Sequence, residues 1–151
     1  MARILNQGLR VLNRFRSILR KNRKERNLGV YMDLNDKCML RCITCLRSRA
    51  ERQFSDITMP LDLFENIAAQ VFPKASFVNL SCAAEPLLVR NFADYLKISS
   101  KYDVPHRQIT TNALLLHADI IDAIISTGLS EVQISIDAAT KETHERIRKG
   151  S

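Results

Sequence analysis

Cys38, Cys42 and Cys45 form a C-x3-C-x2-C run that places three thiols within eight residues. The run follows an apolar stretch, Leu28 to Leu34, so all three thiols fall on the loop after a predicted strand. Thiolates are soft ligands, and three on one loop can grip a single metal centre. Their number matters as much as their spacing. A structural zinc site takes four protein ligands. A 4Fe-4S cubane has four irons, and three cysteines leave one iron open for chemistry. The zinc reading stands only if Cys82 supplies a fourth thiolate, and the spacing lacks the paired short C-x-x-C units usual for zinc.

The rest of the composition bounds the setting. A chain of 151 residues, 46% hydrophobic and 26% charged, is globular and long enough for one domain with its own core. Four cysteines, three of them clustered, do not make a disulfide framework and point to a reducing, cytoplasmic setting. No run approaches the roughly 18 apolar residues of a spanning helix, and no secretory signal is visible. The formal charge of +7 is unevenly spread: residues 1–26 hold nine basic residues and one acidic, a net +8, and the remainder holds 14 basic and 15 acidic, a net −1. A nearly neutral body argues against a nucleic-acid-binding surface spread over the fold.

The elements that must position the cysteines alternate. Residues 1–26 read as a basic amphipathic helix from about Arg3 to Arg23. Ile4, Leu5, Leu9, Leu12, Phe15 and Leu19 lie on one half of the wheel, and Arg10, Arg14, Arg20 and Lys21 on the other. That helix has three readings: packing on the body, lying on an anionic membrane surface, or serving as an organelle-targeting segment. Residues 27–151 then give strand one (Gly29–Leu34), a helix (Leu61–Val71) between Pro60 and Pro73, strand two (Ser76–Ser81) and helix two (Asn91–Tyr102). Strand three (Gln108–Thr111), helix three (Ala118–Thr127, ended by Gly128) and strand four (Glu131–Ile136) follow. A fourth helix (Thr140–Arg148) has Thr140 as its cap. This βα rhythm predicts an α/β fold with a parallel sheet. Active sites in such sheets lie at the C-terminal ends of the strands. The cysteines, Cys82–Glu85, Thr111–Asn112, and Ser135 with Asp137 follow or end the four strands in turn.

These segments resemble the radical S-adenosylmethionine (radical SAM) superfamily. The cysteine run is similar to its signature. LSCAAEPLL (Leu80–Leu88) resembles its GGEP segment, TTNALLL (Thr110–Leu116) its TNG-x-L segment, and VQISIDAATKETHERIRKG (Val132–Gly150) its SIDG segment. Together they cover about Leu28 to Ser151, in the family's order. The subgroup resembles enzymes with a C-terminal SPASM or Twitch domain. The resemblance implies a partial TIM-like barrel, with about four βα units present and the N-terminal part of a longer protein in hand. It implies a 4Fe-4S cluster on Cys38, Cys42 and Cys45, with S-adenosylmethionine on the open iron. Cys82, Ala83, Ala84 and Glu85 would line the methionine end, and Ser135 and Asp137 would face the ribose with help from Asn112. It further implies a flavodoxin- or ferredoxin-like electron donor, a 5′-deoxyadenosyl radical, and hydrogen abstraction from an unidentified substrate.

Several departures bear on the outcome. Ala83 and Ala84 stand where glycine is preferred, and either is strained if its φ is positive. Ala113 replaces the glycine after Asn112. Cys82 reads as a small buried residue of a tight loop, and Glu85 as a loop carboxylate. His106, His117 and His144 are scattered, with no ligand pattern. The competing functional reading is a truncated, non-catalytic metal-binding module.

Overall fold

A computed structural model of the chain describes residues 26–49 and 56–151. The predicted helix over Arg3–Arg23 lies outside the described residues. Four strands, β1 (Leu28–Tyr31), β2 (Ala75–Asn79), β3 (His106–Thr111) and β4 (Glu131–Ile134), form one sheet in the order β1-β2-β3-β4. Every neighbouring pair is parallel. Among the described residues, five α-helices connect or follow them: α1 (Leu46–Arg49), α2 (Leu61–Val71), α3 (Phe92–Ser100), α4 (Ala118–Ser126) and α5 (Lys141–Ile147). Single 3-10 turns at Phe72–Lys74 and Pro86–Leu88 lead into β2 and α3. Sequential parallel strands with intervening helices are what the alternation predicts, and this order fits the partial TIM-like barrel that the resemblance implies.

The period of two in β3 sets the two faces of the sheet. Arg107, Ile109 and Thr111 are buried, whereas His106, Gln108 and Thr110 are half-buried. On the buried side, Phe64 and Ala68 of α2, Phe72, Val78 and Leu80, Leu96 of α3 and Ile109 are fully enclosed. Phe64 meets Phe72 and Tyr95 edge-on at ring-centroid distances of 5.9 and 5.0 Å. The opposite face carries an aromatic row, Tyr31, Phe77 and His106. Farther along it, Gln133 Oε1 accepts from Gln108 at 3.1 Å and from Thr110 at 3.2 Å.

The caps explain where elements stop. Gly128 has φ of +63°. Its N–H donates to Ile125 O, and that of Leu129 donates to Ile124 O, a Schellman motif closing α4. Thr140 caps α5 by accepting from Thr143 N. Arg107, buried at β3, reaches the same turn as Gly128: its guanidinium donates to Thr127 O at 2.5 Å and Gly128 O at 2.8 Å. A cation there offsets the negative helix end, while burial lowers its pKa.

The expected strands one, two and four run two or three residues past the observed ends. The backbone stays partly bonded there: Met32 N donates to Asn79 O, Leu80 N to Gln108 O, and Ser135 N to Thr111 O. One backbone bond thus continues past each strand end without the ladder that defines the strand.

Candidate functional site

The site begins at Asp33, two residues past β1. Its carboxylate accepts the backbone N–H groups of Cys82 at 2.7 Å, Ala83 at 3.0 Å and Ala84 at 3.1 Å. Three consecutive amides aimed at one anion form a nest. With the N–H groups on Asp33, the carbonyl oxygens of Cys82, Ala83 and Ala84 take no hydrogen bond among the described residues. The nest also corrects the reading of Cys82 as a buried residue. Cys82 is exposed at the cavity wall, because the loop presents its backbone to Asp33. Partial desolvation of its thiol group at the cavity wall, and then the Asp33 charge, push the Cys82 pKa up.

Glu85 is the second organiser. It is 3% exposed, and its bonds reach the loops after β1 and β3 as well as its own turn. Its N–H donates to Lys37 O at 2.7 Å, and its carbonyl accepts from Asn35 Nδ2 at 2.8 Å. Its carboxylate accepts from Leu87 N at 3.2 Å, Thr111 Oγ1 at 2.6 Å and Asn112 N at 2.9 Å. A buried carboxylate is stable only when so satisfied. Glu85 thus ties the loops after β1, β2 and β3 together. Asn112 is also committed: its Oδ1 accepts from Leu114 N and its Nδ2 donates to Met39 Sδ at 3.2 Å.

The cysteine loop is held from its other side by the end of α5 and the turn after it. Arg41 N donates to Lys149 O and Ile43 N to Ile147 O, both at 2.9 Å. Leu40 and Cys42 are buried while Arg41 and Ile43 are exposed, so this stretch alternates like a strand. Cys42 therefore faces inward. Gly150, at φ of +99°, passes so close that a Cβ there would lie 3.4 Å from Met39 O.

These supports surround one cavity of about 270 Å³. Cys38, Cys42 and Cys45 line it together with Cys82, Ala83, Ala84, Glu85, Asn112 and Ser135. Burial raises the Cys38 pKa, against a Leu40 N–H that lowers it. Asp137 is not in the wall. Its carboxylate lies 2.8 Å from Nε of Arg148, and Arg148 is what lines the cavity in its place. The Nε–H is not aimed at the carboxylate, so charge rather than a directed hydrogen bond holds the pair.

The strain that a positive φ would bring to Ala83 or Ala84 does not arise. Ala113 has φ of +64°, and neither Ala83 nor Ala84 is in the left-handed region. Sequence reasoning missed Asp33 and Arg148. Asp33 directly after apolar Tyr31-Met32 is a detectable signal, since a carboxylate at a strand end needs donors. Arg148 looked like one more charge on a basic helix.

The donor set suits a cluster. All three loop cysteines are free thiols. They line one cavity wall together, and a cubane takes its protein ligands as cysteine thiolates on separate irons.

Residues 32–151 match the Radical SAM superfamily, and the chain belongs to it. Among curated relatives, GTP 3',8-cyclase of Clostridium botulinum is 23% identical over 122 residues, 79% of this chain and 38% of that protein. GTP 3',8-cyclase of a Picosynechococcus species is 30% identical over 120 residues, 77% of this chain and 36% of that protein. The tungsten-containing aldehyde ferredoxin oxidoreductase cofactor-modifying protein of Pyrococcus furiosus is 27% identical over 110 residues, 72% of this chain and 30% of that protein. The chain thus spans about a third of the length of these relatives. Among solved structures, Streptococcus suis SuiB bound to S-adenosylmethionine superposes with a TM-score of 0.69 at 18% identity, over 95% of this chain and 33% of that one. BtrN in complex with AdoMet and 2-DOIA gives 0.63 at 19% identity, over 80% and 51%. Both share the fold. No described helix is long and apolar enough to cross a membrane.

Proposed function

We propose that this chain holds a 4Fe-4S cluster on Cys38, Cys42 and Cys45 and binds S-adenosylmethionine in the adjoining cavity, as the radical-generating part of an enzyme. The observation that carries this reading is the single cavity shared by the three cysteines, the Cys82–Glu85 loop, Asn112, Ser135 and Arg148. When bound, the cluster and S-adenosylmethionine supply reductive cleavage to a 5′-deoxyadenosyl radical, which takes hydrogen from a substrate.

The chain's own residues bind and position. Free carbonyls of Cys82, Ala83 and Ala84 accept from the methionine ammonium, and Asp33 keeps their N–H groups turned away. Arg148 offers the cavity a guanidinium for the methionine carboxylate. Ser135 contributes a hydroxyl for the ribose, and Asp137 bears on the ligand chiefly by placing Arg148. Glu85 and Asn112 fix the loops. An acidic electron carrier of the flavodoxin or ferredoxin type supplies the electron.

Anaerobic reconstitution with iron and sulfide tests the reading. A brown, EPR-active protein whose spectrum shifts on adding S-adenosylmethionine is expected. Cys42→Ala should lose its iron, because two thiolates do not hold a cubane firmly. Cys82→Ala should keep it. Equal losses from the two changes would refute the three-ligand assignment.

A further inference from the structure

The outer side of the cysteine loop carries a surface that the cavity does not use. Alternation puts Cys42 inward and Arg41 and Ile43 outward. In the turn that follows α5, Arg148 lines the cavity and Lys149 is exposed. Arg41 and Lys149 are neighbours through their 2.9 Å backbone bond. Arg49 lies beside them, its Nε donating to Ile43 O at 3.0 Å. Ile43 is 44% exposed and Leu46 is 81% exposed. No carboxylate pairs with Arg41, Arg49 or Lys149 among the described residues.

We infer that this patch is the docking surface for an acidic, one-electron carrier protein. The inference rests on the cluster assignment above and says where the electron enters. Two exposed apolar side chains within a basic rim have the anatomy of an interface. The body outside residues 1–26 carries a net charge of −1, so unpaired cations gathered here are a local feature and not a general property of the surface. Position supports the same partner. Ile43 follows Cys42 and Leu46 follows Cys45, and consecutive Cα atoms are only about 3.8 Å apart. A carrier seated on Ile43 and Leu46 would stand one residue from two cluster ligands. The step is an outer-sphere transfer. The reduced carrier loses one electron, the cluster gains it, and no proton or covalent bond is exchanged.

Surface charge of this kind acts mainly on association, raising on-rates by about 10- to 1000-fold at low salt. The test compares three forms of the cluster-loaded full chain. They are wild type, Arg41→Glu with Lys149→Glu, and Lys74→Glu with Lys97→Glu as an equal charge change away from the loop. Binding of an acidic flavodoxin is titrated at low and high salt, and cluster reduction is timed with the reduced flavodoxin and with dithionite. Expected are tenfold or greater weakening of flavodoxin binding in the Arg41/Lys149 form at low salt, a gap that closes at high salt, and unchanged dithionite reduction. The Lys74/Lys97 form should behave as wild type. Leu46→Asn should weaken binding without altering its salt dependence. Equal flavodoxin binding by all forms would overturn the inference while leaving the cluster assignment intact. So would retention on anionic phospholipid vesicles that depends on Arg41 and Lys149 when flavodoxin binding does not. Failure to load iron would instead count against the proposed function, and flavodoxin binding by the apo chain would still test the surface.

Discussion

Asp33 Oδ1 lies 2.7 Å from the backbone nitrogen of Cys82, and that contact fixes which way the loop after β2 faces. The two residues are 49 positions apart and sit on different strand ends. One carboxylate gathers three successive amides, and the carbonyls of the loop take no hydrogen bond among the described residues. Asp33→Asn removes the charge and turns an N–H₂ toward donors. Loss of a hydrogen bond to a charged group typically removes about 1.5–3 kcal/mol. The variant should therefore unfold at lower urea, keep three-cysteine iron loading, and bind S-adenosylmethionine at least tenfold more weakly. Normal cofactor affinity in a destabilised protein would mean that Asp33 serves the fold alone.

The Glu85–Thr111 pair makes a separate prediction about stability. Thr111→Val leaves Glu85 Oε1 with only Leu87 N as donor, and Glu85→Gln places an amide against Asn112 N. Each single change should cost about 1–3 kcal/mol, the penalty for unsatisfying a buried polar group. Because they disturb one network, the double variant should lose less than the sum, with a coupling of about 0.5–3 kcal/mol. Urea unfolding of the four forms measures it. Strict additivity would show that the 2.6 Å contact contributes nothing specific.

Much of this was legible from local pattern. The βα alternation, the Leu61–Val71 helix, the Gly128 stop and the Thr140 cap all depend on residues within one or two turns of each other, and these appear as expected. The strand-end segments could be placed on one rim because parallel βα topology leaves little choice. What was hidden depends on distant partners. Asp33 is an isolated acid until the Cys82–Ala84 loop comes to it. Glu85 reads as a loop carboxylate until Asn35, Lys37, Thr111 and Asn112 surround it. The α1 turn at Leu46–Arg49 has no periodicity in four residues. Strand ends were overextended because apolar character continues where the ladder no longer does.

Ala113 offers a test of backbone strain. An L-residue in the left-handed region is disfavoured by about 1–2 kcal/mol, while glycine adds unfolded-chain entropy worth about 0.4–1 kcal/mol. Ala113→Gly should therefore be neutral to stabilising by about 1 kcal/mol, seen as a melting temperature higher by up to about 4 °C. Ala83→Gly and Ala84→Gly lack strain to relieve and should lower stability. The opposite ranking would show that the resemblance to glycine-rich segments, not the local φ, governs these positions.

The Asp137–Arg148 pair separates two roles for Asp137. If its carboxylate binds ribose hydroxyls directly, its removal weakens S-adenosylmethionine whether or not Arg148 is present. If it acts by placing the guanidinium, its effect depends on that guanidinium. The geometry favours placement, since Arg148 lines the cavity and Asp137 does not. A charge-assisted hydrogen bond to a carboxylate ligand is worth about 1.5–3 kcal/mol, or roughly 10- to 150-fold in affinity. Arg148→Gln should lose that much, and Asp137→Asn a smaller part of it. In the Arg148→Gln background, Asp137→Asn should change affinity by less than about twofold, because additivity fails for residues acting as a unit. The measurement is an EPR titration of the cluster with S-adenosylmethionine in all four forms, with iron content checked in each. A full, additive effect of Asp137→Asn without Arg148 would return Asp137 to a direct contact with the ribose.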